Sequence, residues 1–179
     1  MDTDEEPGRG KPEKISKLKP AFEKDGTITA ANASSINDGA AALVVMSIDT
    51  ATTYNIKPLC RIVAQASFAQ EPLYFTTAPG EAISKVLDIS GLSLEDIDLF
   101  EINEAFSNVT LAAMRDHNIP HEKVNIYGGA VSMGHPIGAS GARILVTLIS
   151  GLRQKKKKLG LATLCIGGGE AAAVIVETV

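Results

Sequence analysis

The chain has no tryptophan, only 4% aromatic residues, and just two cysteines, Cys60 and Cys165, among 179 residues. So few large rings exclude a core built on aromatic stacking and leave the packing to small and β-branched side chains, which lets strands and helices approach closely. The cysteines lack the spacing of a disulfide framework, so a small secreted scaffold is excluded and a reducing intracellular compartment, mitochondrial or cytoplasmic, is expected. No apolar run reaches membrane-spanning length, which excludes a membrane-embedded helix. The acidic start Met1-Asp2-Thr3-Asp4-Glu5-Glu6 has neither the basic residues nor the apolar stretch of a signal or transit peptide. A net charge of −4 without a basic stripe predicts no nucleic-acid partner.

What is present, 45% hydrophobic and 21% charged residues, is the balance of one ordinary domain with its own core. Residues 1–20 are rich in charge, glycine and proline and are predicted to form an extended arm, with structure beginning near Phe22. Asp25-Gly26 marks a turn before a short strand, Thr27-Ile28-Thr29, and Asn37-Asp38-Gly39 marks another turn. The apolar run from Ala40 to Met46 fits a strand buried on both faces, with a buried helix as the alternative. Leu59 to Ala66 predicts a strand, and Pro79 opens a helix in which Ala82, Ile83, Val86 and Leu87 recur at helical spacing. Ser93 and Asp96 form a capping pair, Asp98 to Asn103 a strand running into a loop, and Ala105 to Asp116 a helix.

Val124 to Ile126 reads as a short strand. A helix from Ile137 to about Arg153 leaves the Gly-rich loop Gly128 to Gly134 and ends at Lys155 to Lys158, a solvated run favoured by the helix dipole. Leu161 to Ile166 and Ala171 to Val176, parted by Gly167-Gly168-Gly169, read as an antiparallel hairpin. Strands alternating with helices predict an α/β fold, with a mixed, mostly parallel sheet covered by helices on both faces and finished by a C-terminal β-hairpin.

Reactive groups gather in three loops at predicted strand ends: Asn103-Glu104-Ala105-Phe106, Gly134-His135-Pro136-Ile137-Gly138 and Cys165-Ile166-Gly167-Gly168-Gly169. Ligands of open α/β sheets bind beyond the carboxyl ends of strands, where such loops converge. His135 precedes a helix start, where it either serves chemistry or satisfies a loop hydrogen bond. Cys165 ends an apolar strand beside glycines that admit a substrate closely; taken alone, a lone buried cysteine is more often an inert core thiol than a catalyst. Asn103-Glu104 fits a helix cap as well as a site. His117 and His121 stand four apart, but Pro120 intervenes and no third zinc ligand is evident. Cys60, inside a strand, reads as core.

Asn-Glu-Ala-Phe, then Gly-Gly-Ala, Gly-His-Pro-Ile-Gly-Ala-Ser-Gly-Ala-Arg and Leu-Cys-Ile-Gly-Gly-Gly, in this order and spacing, resemble the thiolase family very specifically. With Asn32-Ala33-Ser34 and Asn37-Asp38-Gly39-Ala40-Ala41-Ala42, the resemblance runs from about Asp4 to Val179. It implies a thiolase-like fold in which residues 21–179 form the C-terminal domain, with 21–48 open to assignment to the end of the preceding half. The family's N-terminal half, carrying the nucleophilic cysteine, and its coenzyme A loop domain would precede this region. Half of a five-layered fold would leave an apolar face open and is expected to oligomerise, as a dimer or tetramer.

The resemblance implies acyl transfer between coenzyme A thioesters, the reversible Claisen condensation of two acetyl-CoA to acetoacetyl-CoA, with the thioesters as substrates and no organic cofactor. His135 would activate the nucleophilic cysteine and hold the thioester oxygen, and Asn103 would position a water in the same oxyanion site. Cys165 would move the α-proton, its neighbours lowering its pKa, and the Gly167 amide would serve a second oxyanion hole. Ser34 would lie near the pantetheine arm, with Phe75 and Phe106 lining its tunnel. Ala30-Ala31-Asn32-Ala33 and Val131 are more like the mitochondrial acetoacetyl-CoA branch, in which carbonyls here bind potassium; Ala30, Ala31, Ala33 and Val131 would be the ligands. Ala171 and Tyr127 depart from the usual Gly and Asn, which puts the hairpin geometry and the polar support of His135 in question. The alternative is a non-catalytic thiolase-like module that binds coenzyme A or a protein. A ketoacyl synthase relative would carry a second histidine where Cys165 stands.

Overall fold

The computed structural model describes residues 2, 3, 8 and 10–179. Six residues of the expected N-terminal arm, 1, 4–7 and 9, lie outside them; the described rest contains one 3-10 stretch, Pro12–Lys17, with no buried side chain.

Along the chain stand helix α1 (Ile48–Thr53), strand β1 (Cys60–Ala69), helix α2 (Ala78–Ser90), strand β2 (Leu99–Ile102), helix α3 (Ser107–His117) and the short helix α4 (Ala130–Met133). Helix α5 (Ser140–Lys155) and strands β3 (Leu159–Ile166) and β4 (Glu170–Thr178) complete it. The sheet order is β1-β4-β3-β2. β2 and β3 run parallel, while β4 is antiparallel to both β3 and β1. The mixed α/β sheet is as expected, but its parallel share is a single pair. The terminal hairpin places β4 between β3 and β1, so both of its pairings are antiparallel.

Period-two alternation divides the core into two layers. Phe100, Ile102, Leu161, Ala171, Ala173 and Ile175 pack on one face against α2, whose Ala82, Ile83, Val86 and Leu87 are buried. Leu99, Ala162 and Val176 point the other way, onto Ile144, Leu148, Ile149 and Leu152 of α5. Each of the larger of these side chains, Val, Leu, Ile or Phe, contributes about 1.5–3 kcal/mol on burial. Pro79 in the first turn of α2 and Gly91 just past its end, at φ +68°, match the start and stop chemistry of a helix. The Ser93–Asp96 capping box forms as expected.

Five local expectations fail. Thr27-Ile28-Thr29 is not a strand, and Val124 makes only an isolated bridge with Phe100. The helix expected from Ile137 begins at Ser140, because Gly138 and the loop bond from Ala139 N–H to the Pro136 carbonyl occupy the first turn; part of the expected Gly-rich loop is α4. Most consequential is the run from Ala40 to Met46, which is neither strand nor helix and is largely exposed, with Val44 at 86% and Val45 at 72%. Its apolar, β-prone sequence still needs a ladder, and neither sheet edge, β1 or β2, provides one.

Candidate active site

Parallel pairing of β2 and β3 brings their carboxyl ends to one edge of the sheet. The Asn103 N–H, just beyond β2, donates to the Thr163 carbonyl at 3.0 Å, and Cys165 follows two residues later on β3. Asn103 is completely buried. His135 reaches the same place from the other side of the chain: its Nε2 lies 3.3 Å from Asn103 Nδ2, its Nδ1 lies 2.6 Å from Ser140 Oγ, and its backbone N–H donates to the Ser35 carbonyl at 2.9 Å. His135, Asn103 and the β3 end that carries Cys165 are thus assembled from three separate segments.

The loop bearing His135 has little choice of residues. Gly134 has φ +91°, a conformation that side chains resist, and a Cβ there would strike the Asn37 amide. A Cβ at Gly129 would run into the Glu104 carboxylate. That carboxylate accepts from Asn125 Nδ2 at 3.0 Å and from the Val131 N–H at 3.1 Å, so Glu104 fastens the Asn103 loop to α4 instead of capping α3. Asn125 in turn receives the Ile102 N–H and donates to the Ile102 carbonyl, extending β2 with a side chain where no further strand is present.

The thiol of Cys165 is buried, and burial pushes its pKa above the ordinary range, only partly offset by its own backbone. The expected lowering by neighbours is not found, because the large effect at this position is loss of solvent. Cys165 pairs with Ala171, whose methyl is fully buried in the core, so the departure at 171 fills space beside the thiol. Tyr127, the other departure, donates its hydroxyl to Gln154 Oε1 on α5 at 2.8 Å. His135 is held below its ordinary pKa, first by burial and then by the Arg143 guanidinium. A neutral imidazole at physiological pH follows.

Gly167 sits exposed in the hairpin turn, with no atom within 4 Å of where a side chain would start. Ser34 Oγ donates to the Ala105 carbonyl at 3.0 Å. Phe75 and Phe106 meet edge to face at 6.2 Å, and Phe22 joins Phe106 at 5.7 Å, forming an aromatic cluster beside Ser34. Ala30, Ala31 and Ala33 belong to a loop tied to the same segment, through the Ser107 N–H on the Asn32 carbonyl and the Ser34 N–H on the Ala105 carbonyl. Those two bonds flank the Ala33–Phe106 bridge and leave the Ala33 carbonyl outside the ladder. Val131 is joined to this segment through Glu104.

Other candidates fall away from this edge. Cys60 pairs with Thr178, whereas Cys165 pairs with Ala171, so the two thiols lie about seven residues apart along β4, roughly 23 Å at strand spacing. The His117 ring nitrogen contacts the Gly80 carbonyl at 2.9 Å and ties α3 to the start of α2.

Two groups near the site escaped the sequence reading. Arg143 donates from Nη2 to Asn103 Oδ1 at 3.4 Å, and its buried Nε has no partner among the described residues. Glu101, only 3% exposed, lies on the α5 side of β2 with a pKa pushed up to about 7 by burial, which the charge of Arg143 opposes and that of Glu104 reinforces. A lone acidic residue inside Leu99-Phe100-Glu101-Ile102 was the available signal.

The thiolase C-terminal domain family matches residues 56–178, and the thiolase N-terminal domain family matches residues 1–49. An acetyl-CoA acetyltransferase of Syntrophomonas wolfei is 50% identical over 179 residues, covering 99% of this chain and 45% of that protein. The mitochondrial acetyl-CoA acetyltransferase of Mus musculus is 53% identical over 97% of this chain and 41% of its own length. The solved structure of the Acat5 thiolase of Ascaris suum in complex with coenzyme A superimposes with a TM-score of 0.89 at 44% identity, covering 100% of this chain and 47% of that one. The chain therefore spans less than half the length of the curated relatives it matches.

Proposed function

The chain belongs to the thiolase family, and from that membership we propose that it supplies the acid/base half of an acetyl-CoA acetyltransferase site. The supporting observation is the meeting of His135 and Asn103 at the sheet edge that also carries Cys165. The nucleophile is a cysteine of the remaining half of the family fold, since Cys60 lies at the far end of the sheet.

In condensation, His135 Nε2 takes the proton of that cysteine; its sulfur attacks the acetyl carbon of acetyl-CoA, the thioester C–S bond breaks, and coenzyme A leaves with the proton of the Cys165 thiol. While protonated, Nε2 points a donor at the thioester oxygen, and the Asn103 amide, released from Nε2, holds a water against the same oxygen. Cys165, now a thiolate, removes the α-proton of a second acetyl-CoA, and the enolate carbon displaces the enzyme sulfur, which recovers its proton from His135, to give acetoacetyl-CoA. In cleavage the Cys165 thiol returns the proton, a role suited to a thiol whose pKa burial raises. The Gly167 N–H serves the second oxyanion position. Ser34, Phe75 and Phe106 line the pantetheine path.

The exposed run from Ala40 to Met46 is the surface on which the remaining half completes a sheet, in an intracellular dimer or tetramer. The carbonyl oxygens of Ala30, Ala31, Ala33 and Val131, neutral hard donors, would hold a potassium ion together with a tyrosine of the remaining half. It would stiffen the loops carrying Ser34 and Glu104; exchanging K⁺ for Na⁺ should lower the thermal midpoint of the complete enzyme, and identical midpoints overturn this site.

The test is acetoacetyl-CoA thiolysis by the 179-residue chain alone and after addition of a family N-terminal half. Activity only in the mixture is expected. Full activity from the chain alone, or none from a folded mixture that still binds coenzyme A, overturns the reading; the latter result would indicate a non-catalytic binding module.

A further inference from the structure

Four hydrogen bonds through the site run in one direction. Arg143 Nη2 meets Asn103 Oδ1 at 3.4 Å, Asn103 Nδ2 meets His135 Nε2 at 3.3 Å, His135 Nδ1 meets Ser140 Oγ at 2.6 Å, and Ser140 Oγ meets the Pro136 carbonyl at 3.1 Å. Both ends dictate the polarity. A guanidinium has only donors, so the Asn103 atom facing it is the amide oxygen and the NH₂ faces His135. A carbonyl only accepts, so the single Ser140 hydrogen goes to Pro136 and the Ser140 oxygen accepts from the imidazole. The two constraints agree on one tautomer, with the proton on Nδ1 and a lone pair on Nε2.

We propose that Arg143 is a positioning residue for His135: acting through Asn103, it fixes the amide orientation that leaves Nε2 unprotonated and aimed into the site as the free base. The proposal deepens the acyltransferase reading and rests on it for its kinetic consequence. Arg143 is held for this task by α5, which buries Ile144, Leu148 and Leu152 on the sheet, and by a contact from Nη1 to Met133 Sδ at 3.7 Å. Glu101 on β2 and Glu104 beyond it are the other charges acting here. Removing Arg143 would leave the Asn103 amide free to turn its oxygen to the imidazole, which would then favour a proton on Nε2 and lose its base. Sequence spacing hides this chain, since Arg143 and Asn103 are 40 residues apart.

The test is ¹⁵N NMR of the ring nitrogens of His135 in the 179-residue chain, at a pH where the imidazole is neutral. The wild type should show a pyridine-like Nε2 and a pyrrole-like Nδ1. Arg143→Met should move the tautomer ratio roughly five-fold towards Nε2–H, the effect of losing one ordinary hydrogen bond, and Arg143→Lys should restore it. A wild type protonated on Nε2, or an Arg143→Met spectrum that stays dispersed with the ratio unchanged, overturns the proposal. If Arg143→Met does not fold, Asn103→Asp provides the decision: a carboxylate only accepts and should invert the tautomer, and an unchanged tautomer sinks the idea. In the complete enzyme, Arg143→Met should lower kcat by up to about five-fold with little change in KM, the share of free base that the tautomer shift removes. A wild-type enzyme without thiolysis would refute the acyltransferase reading while the NMR result stands or falls separately.

Discussion

Replacing Glu101 by Gln removes a buried charge while keeping the shape of the side chain, and the structure sets both the sign and the size of the effect. Burial lifts this carboxyl from its ordinary 4.5 to about 7, against the pull of Arg143. At about 1.4 kcal/mol per pH unit, that interval corresponds to roughly 3 kcal/mol. Because the folded chain holds this proton more tightly than the unfolded chain, the contribution is fully present below pH 4.5 and is lost as the pH rises to about 7. Glu101→Gln has no such loss. Urea unfolding followed by circular dichroism at several pH values should therefore show the variant gaining about 3 kcal/mol on the wild type between pH values below 4.5 and above 7. Arg143→Met in the wild-type background should extend the wild-type decline to higher pH. Parallel profiles for Glu101→Gln and wild type would refute the reasoning. So would a variant that loses ground as pH rises, since that would mean Arg143 stabilises the ionised carboxylate more than burial penalises it.

Other consequences can be checked with single variants. Gly160→Ala places a Cβ 2.8 Å from Leu148 Cδ1 in the α5 layer and should cost about 1–3 kcal/mol in denaturant unfolding. Gly129→Ala displaces the Glu104 carboxylate from the Val131 N–H and should accelerate hydrogen exchange at that amide, leaving the distant hairpin unchanged. Cys165 in the folded chain should react with iodoacetamide more slowly than a free thiol at pH 8, and denaturation should abolish the difference. Cys165→Ser in the complete enzyme should lose most Claisen turnover, on the order of 10²-fold or more, yet still form the acetyl-enzyme.

The sequence by itself determined the elements whose signals are local. Helical spacing of Ala82, Ile83, Val86 and Leu87 gave α2, the Ser93–Asp96 pair gave the capping box, and the three glycines gave the turn between β3 and β4. Its motifs also located the loops of His135, Asn103 and Cys165, because glycine, proline and a strand end are recognisable over a few residues. Only the tertiary structure decided what depends on partners distant in sequence. The run from Ala40 to Met46 has the composition of a buried strand, yet burial requires a neighbour whose hydrogen bonds and apolar face meet it, and within this chain it remains exposed. Glu101 is marked in the sequence only as an acid inside an apolar run, and neither Arg143 nor Ser140 reveals its partner locally; their roles arise because β2, α5 and the His135 loop pack together, and low dielectric then turns ordinary charges and hydrogen bonds into constraints on a proton.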